Sequence, residues 1–227
     1  MPEFKSIRQK IKIKVVSFDM DGTLVDRSFV DTFWEVEIPK LYAKKYALSF
    51  EEAQKIVKTC YDEIGDKDVR WYLPEYWFKR FNLSEDPRRI LEKLKEKIKV
   101  FPDAISAIRN LYNKYTLIIV SNASKEFVEI ELEKLGNYFS KVYSCTSDFG
   151  AVRKEPEVYL KICKDLGIRP EEMVHVGDHY QFDYQVPRSI GIKAFLIDRG
   201  NTLKLKVNSK IKDEILKSLE ELPRKIQ

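Results

Sequence analysis

Cysteine and histidine are scarce, at three and two residues in 227. Cys60, Cys145 and Cys163 are odd in number and form no C-x-x-C pair. That argues against a disulfide framework and against a zinc site, and buried structural thiols are expected instead. The histidines, His175 and His179, stand beside carboxylates, but their spacing suits strand and loop positions better than zinc ligation. No apolar run approaches the roughly 20 residues of a membrane-spanning helix. The lysine-rich start also lacks the continuous apolar stretch of a secretory leader, so a cytoplasmic protein with no membrane partner is expected. Charge of a single sign is missing too: 41 Lys and Arg face 36 Asp and Glu, for a net charge of +5. Lys5, Arg8, Lys10, Lys12 and Lys14 do cluster, yet such a run is ordinarily a solvated face, and nucleic acid is not an expected partner. The sequence has no internal repeat, and oligomeric state is not legible in it.

What is present is a soluble globular composition, 44% hydrophobic and 34% charged, in a chain long enough for one domain or a core with a substantial insertion. The most informative stretch is Val15-Val16-Ser17-Phe18-Asp19-Met20-Asp21-Gly22-Thr23-Leu24. A short apolar run of this kind reads as a buried strand, and Gly22 allows it to end in a tight turn. Open α/β sheets bind ligands at the carboxyl ends of their strands, which is where Asp19 and Asp21 then lie. Two carboxylates so close are costly unless a cation neutralises them. The expected cation is a hard divalent one, Mg2+.

Between residues 26 and 99 the pattern turns helical. Ser28-x-x-Asp31 resembles a capping box, Pro39 a kink or break, and Ser49-x-x-Glu52 a clearer helix start with Gly65 as its C-terminal cap. Ile56, Val57, Cys60, Tyr61 and Ile64 fall on one face of that helix. The segment 71–78 is densely aromatic and reads as the core of a small helical unit or as a wall facing substrate. Asp86-Pro87 opens another helix, so about four helices are expected. From Pro102 strands and helices alternate: helix 104–112, strand 116–120, helix 125–135 with Ser124 as N-cap, strand 141–145, helix 156–166, and strands 173–176 and 193–197. Repeated βα units with apolar strands imply an α/β fold, a Rossmann-like doubly wound parallel sheet. Its core comprises 1–25 and 100–227, with 26–99 an inserted helical cap domain. Ile211, Ile215, Leu216, Leu219 and Leu222 suggest a C-terminal helix ending at Pro223.

Three further strand ends carry polar groups: Ser121-Asn122; Arg153-Lys154-Glu155-Pro156 before a predicted helix; and Gly177-Asp178 with Asp183 five residues on. With Asp-x-Asp-Gly-Thr-Leu at 19–24, they resemble, in order, the four motifs of the haloacid dehalogenase-like hydrolases, and the helical insertion resembles that superfamily's type-one cap. The third motif departs from the usual Lys-Pro, since Arg153 stands where the lysine often does when counted back from Pro156. Lys154 is preferred because a compact point charge suits the role better than a planar fork.

The resemblance implies a phosphomonoester hydrolase acting on a small phosphorylated metabolite. Asp19 would be the nucleophile and form an aspartyl-phosphate, and Asp21 the general acid and base. Mg2+ would be held by the Asp19 and Asp178 carboxylates and the Asp21 backbone carbonyl. Ser121, Asn122 through its backbone amide, and Lys154 would hold phosphoryl oxygens. Asp183 would orient the metal shell or hold Lys154. The other readings are a phosphosugar mutase, a dehalogenase, and a silent binding protein that keeps the fold. Against a dehalogenase, the acid at Asp21 would protonate an alkoxide leaving group, which a halide does not need.

Overall fold

The computed structural model describes residues 12–200 and 209–227. Of the basic cluster near the start, Lys5, Arg8 and Lys10 lie outside the described residues. Among the described residues six strands form one sheet in the order β3-β2-β1-β4-β5-β6. They are β1 Val15–Phe18, β2 Thr116–Ser121, β3 Lys141–Ser144, β4 Met173–Gly177, β5 Lys193–Ile197 and β6 Ile215–Leu216. Every pairing is parallel, and the order reverses across the β1–β4 pair, the topological switch point where open α/β sheets bind ligands.

Strand alternation sorts the core into two layers. Val16, Phe18, Leu117, Ile119, Val174, Val176, Phe195 and Ile197 pack one way, against α6 (Pro102–Tyr112), α7 (Lys125–Leu135) and the helical region. Val15, Ile118, Val120 and Met173 pack with Tyr159, Ile162 and Cys163 of α9 (Pro156–Asp165), which the short α8 (Cys145–Phe149) precedes and the short α10 (Val186–Ser189) follows in the chain. Both faces are thus covered, as a parallel sheet requires.

Between β1 and β2, every described segment of regular secondary structure in 28–97 is helical. A helix starts as α1 (Ser28–Thr32), passes through a π turn at Phe33–Glu37 and continues as α2 (Ile38–Tyr46). The expected break at Pro39 does not occur. The proline sits in the first turn of α2, directly after the wide π turn, where the backbone is already relaxed from i→i−4 bonding. Nor is Ser28 the cap. It lies inside the helix, and its N–H donates to Asp26 Oδ1 at 2.9 Å. The helix α3 (Phe50–Ile64) does carry the Ser49/Glu52 capping box and ends at Gly65, with φ +74°. On its face Val57 is buried but Ile56 is exposed. α4 (Pro74–Arg80) and α5 (Pro87–Leu94) complete the set, with Asp86 capping α5 through the Arg88 N–H. An antiparallel bridge between Val25 and Val100 brings the two ends of this helical region together.

The C-terminus differs from expectation. Ile215 and Leu216 form an edge strand on β5, and Leu219 and Leu222 lie in a 3₁₀ turn and in a short helix, α11 (Leu222–Lys225), in which Pro223 occupies the first turn. Their spacing fits a helix, but Ser218 and Glu221 form a capping box that restarts the chain two residues after the strand. Cys145 and Cys163 are buried as expected, whereas Cys60 is only half-buried, and all three are free. No described helix is long and apolar enough to cross a membrane.

At the opposite end of the sheet from the acidic strand ends, the Glu172 carboxylate accepts from the Arg169 backbone N–H and pairs with Lys14 at 2.8 Å. These contacts, in that order of weight, hold it down to about 2 from an ordinary 4.5. A carboxyl lowered on folding stabilises the fold above its unfolded value and ceases to do so as pH falls through its folded value. Glu172→Gln should therefore lower the urea midpoint at all pH above about 4.5, and the gap to the parent should close as pH drops towards about 2. Equal gaps at pH 7 and in strong acid would contradict this.

Candidate active site

The site is built from strand ends. β1 delivers Asp19, whose N–H still pairs with Val176 O at 2.9 Å, and the chain then turns through 20–25. Gly22 is required there on two counts. Its φ is +78°, and a Cβ would lie 2.2 Å from Asp178 Oδ2. Gly177 likewise makes room, since a Cβ there would lie 2.2 Å from Asp183 Cγ. Arg199 braces the turn: Nε donates to Thr23 O at 3.1 Å, and Nη1 donates to Asp103 at 2.9 Å.

Lys154 reaches this point from the loop before α9 and is 1% exposed. Its Nζ lies 2.5 Å from Asp19 Oδ1 and 2.6 Å from Asp183 Oδ1. Asn122 fixes the loop with its side chain, Oδ1 accepting the Lys154 N–H at 3.0 Å. Ser121 Oγ accepts from the Ala123 N–H at 3.1 Å. Of the two candidate cations, Lys154 is the one paired with Asp19. Arg153 pairs with Asp66 of the helical region and lies 4.9 Å over the Phe182 ring. Ser124 takes the N-cap position of α7, yet its hydroxyl makes no capping bond.

Electrostatics follow from one ammonium among several acids. Burial would raise Asp183, but Lys154 and then His175 outweigh it and hold Asp183 below the usual carboxylate range. Burial would lower Lys154, but Asp183 and Asp19 keep it firmly charged. Asp19 is pushed up by burial against the pull of Lys154, and Asp178 is pushed up by burial and then by Asp183. One oxygen from each of Asp19, Asp178 and Asp183 lies within 4.8 Å of the others. Three carboxylates around one ammonium leave an excess of negative charge and an all-oxygen donor set, the chemistry that suits Mg2+. Asp21 is raised to about 6, chiefly by burial, and its carboxyl meets that of the buried Glu131.

A cavity of about 470 Å³ opens over these groups. Asp19, Asp21, Ser121, Asn122, Lys154, Asp178 and Asp183 all line it on the sheet side, and Trp34, Tyr61, Trp71 and Tyr72 face them from the helical region. The aromatic stretch 71–78 therefore divides. Trp77 and Phe78 are core, while Trp71 and Tyr72 form part of the wall.

Two cavity neighbours escaped the sequence reading. Arg27, at the start of the insertion, lines the cavity and faces Asp21 and Asp31. Glu131 of α7 is fully buried, and its carboxyl faces that of Asp21. Burial and then the charge of Asp21 push its carboxyl well up. Helical spacing places Glu131 on one face with Phe127 and Leu135, a signal that was available in the sequence.

The sequence model of the haloacid dehalogenase-like hydrolases matches residues 13–191. The chain belongs to the haloacid dehalogenase-like hydrolase family. Among curated relatives of this hydrolase, the GMP/IMP nucleotidase YrfG of Escherichia coli K12 is 23% identical over 174 residues, 73% of this chain and 74% of that one. The glyceraldehyde 3-phosphate phosphatase of Pyrococcus furiosus is 25% identical over 211 residues, 88% and 86% of the two chains. Among solved structures, a HAD phosphatase from Thermococcus onnurineus superposes with a TM-score of 0.80 at 27% identity, covering 94% of this chain and 98% of that one. A 2-haloacid dehalogenase from Pseudomonas syringae pv. Tomato DC3000 shares the fold, with a TM-score of 0.68 at 20% identity over 93% and 97% of the two chains.

Gly177→Ala places a methyl group against the Asp183 carboxylate and should displace it from Lys154. A loss of roughly 10-fold or more in hydrolytic turnover is expected, as for other groups that orient a site from behind, together with a lower melting temperature. Parent-like turnover would contradict the packing of Asp183 through Gly177.

Proposed function

We propose that this hydrolase cleaves phosphomonoesters of small metabolites through a covalent aspartyl-phosphate on Asp19. The observation that carries the reading is Asp21: an acid two residues after Asp19, lining the same cavity and raised to about 6, chiefly by burial, so that it can hold and release a proton there. The phosphatase and nucleotidase relatives support the reaction class. Their named substrates differ in the organic part, so they do not choose among leaving groups.

In this reading an Asp19 oxygen attacks phosphorus, and the bond to the leaving oxygen breaks as Asp21 gives that oxygen a proton. Asp21 then takes a proton from the water that attacks the phosphoryl group, returning Asp19 as a carboxylate and releasing orthophosphate. Lys154, the Ser121 hydroxyl and the backbone amides after it hold the phosphoryl oxygens that carry charge. The cation would be held by the Asp19 and Asp178 carboxylates and the Asp21 backbone carbonyl, with Asp183 behind them. When bound, Mg2+ offsets the repulsion between a carboxylate nucleophile and an anionic phosphate. Residues 26–99 act as a lid over the core of 1–25 and 100–227. They keep bulk water from the phosphoaspartate and present Trp34, Trp71 and Tyr72 to the organic part of the substrate.

An acid that serves the leaving group matters most when that group is a poor one. Asp21→Asn should lower turnover of an alkyl phosphate such as glycerol phosphate by roughly 10²- to 10⁴-fold. It should cost p-nitrophenyl phosphate much less in its first step. Equal losses on both, in a burst experiment that isolates that step, would remove Asp21 from the role of general acid.

A further inference from the structure

Behind the carboxylate cluster lies a second line of polar groups that no step above uses. Ser17 and His175 are both fully buried and stand opposite one another in the register of β1 and β4. Ser17 Oγ lies 2.9 Å from His175 Nδ1, and His175 Nε2 lies 3.1 Å from Asp183 Oδ1. That same oxygen receives Lys154 at 2.6 Å, and Lys154 reaches Asp19 at 2.5 Å. The Tyr159 ring packs edge-on against the imidazole at 5.2 Å. The chain Ser17–His175–Asp183–Lys154–Asp19 thus runs unbroken from the middle of the sheet to the nucleophile.

The direction of each bond follows from its neighbours. Asp183 accepts the His179 N–H at 2.9 Å on Oδ2 and the Lys154 ammonium on Oδ1, so it is an ionised acceptor on both oxygens. His175 Nε2 must then be the donor. Burial lowers the imidazole's affinity for a second proton, which leaves Nδ1 to accept the Ser17 hydroxyl. A histidine in this apolar layer is costly unless both nitrogens are satisfied, and its neighbours two residues back on β4 and β1 are the apolar Met173 and Val15. Packing alone does not call for an imidazole.

We propose that His175, held by Ser17, is a positioning residue: it fixes the Asp183 carboxylate in the one orientation that presses Lys154 onto Asp19. The kinetic consequence rests on the phosphatase reading above, whereas the bond order does not. His175 acts only through Asp183, so removing both should cost no more than removing Asp183.

Turnover of p-nitrophenyl phosphate with Mg2+ is to be compared for the parent, Ser17→Ala, His175→Phe, His175→Gln, Asp183→Asn and the double variant His175→Phe/Asp183→Asn. A roughly 10- to 100-fold loss in kcat is expected for His175→Phe, as for other second-layer partners of a site. A smaller loss is expected for Ser17→Ala, with partial recovery in His175→Gln, which keeps an N–H donor. The double variant should match Asp183→Asn. Parent-like kcat in folded His175→Phe, or losses that multiply in the double variant, would overturn the proposal. Should His175→Phe fail to fold, Ser17→Ala and nitrogen-15 spectra of the parent imidazole decide it. The proton belongs on Nε2, and its absence there overturns the bond order. A parent that hydrolyses no phosphomonoester sinks the phosphatase reading, while the imidazole spectrum still tests the chain of bonds.

Discussion

A single buried ammonium, Lys154, sits between Asp19 and Asp183, and the rest of the site is arranged around the need to keep it there. Opposite charges about 4 Å apart attract by roughly 4 kcal/mol at the effective dielectric of a protein surface, and desolvation opposes that gain. Lys154 stays charged because two carboxylates converge on it. Asp178 adds a third acid that one cation cannot balance. That imbalance is a physical reason for a divalent cation, independent of any relative's name.

The topology explains why acids so distant in sequence meet. β1 and β4 are neighbours at the reversal point of the sheet, so Asp19 and Asp178 emerge side by side. The turn after β1 can approach Asp178 only because residue 22 has no side chain, and Asp183 can fold back only because residue 177 has none. Two glycines therefore set how closely the negative charges pack. The helical region contributes differently, closing the cavity with rings whose neighbours Trp77, Phe33 and Phe78 form its own buried core.

Most of this was legible in sequence, for identifiable reasons. Apolar runs such as 116–120 can be little other than buried strands, and the polar residues that end them had to lie at one edge. The preference for Lys154 over Arg153 rested on the charge shape that the resembled family's role calls for; in the structure Lys154 pairs with Asp19 and Arg153 with Asp66. What stayed hidden depended on partners far along the chain. Ser28 looked like a cap until Asp26 proved nearer the free N–H. Ile215 and Leu216 carry helical spacing but gain more by completing the sheet beside β5. His175 read as an ordinary strand residue because only the β1–β4 register brings Ser17 to one side of it, and only the following turn brings Asp183 to the other. Glu131 was missed because helix patterning was read for its apolar members, and the buried acid among them is the exception that points at Asp21.

The most direct measurement is to mix the protein with Mg2+ and a phosphomonoester, quench in acid within the first turnover, and map the modified peptide by mass spectrometry. A phosphoryl group on Asp19, absent when Asp19→Asn is treated alike, is the predicted result. A protein that turns over substrate while its phosphoryl group appears on another residue would contradict the account.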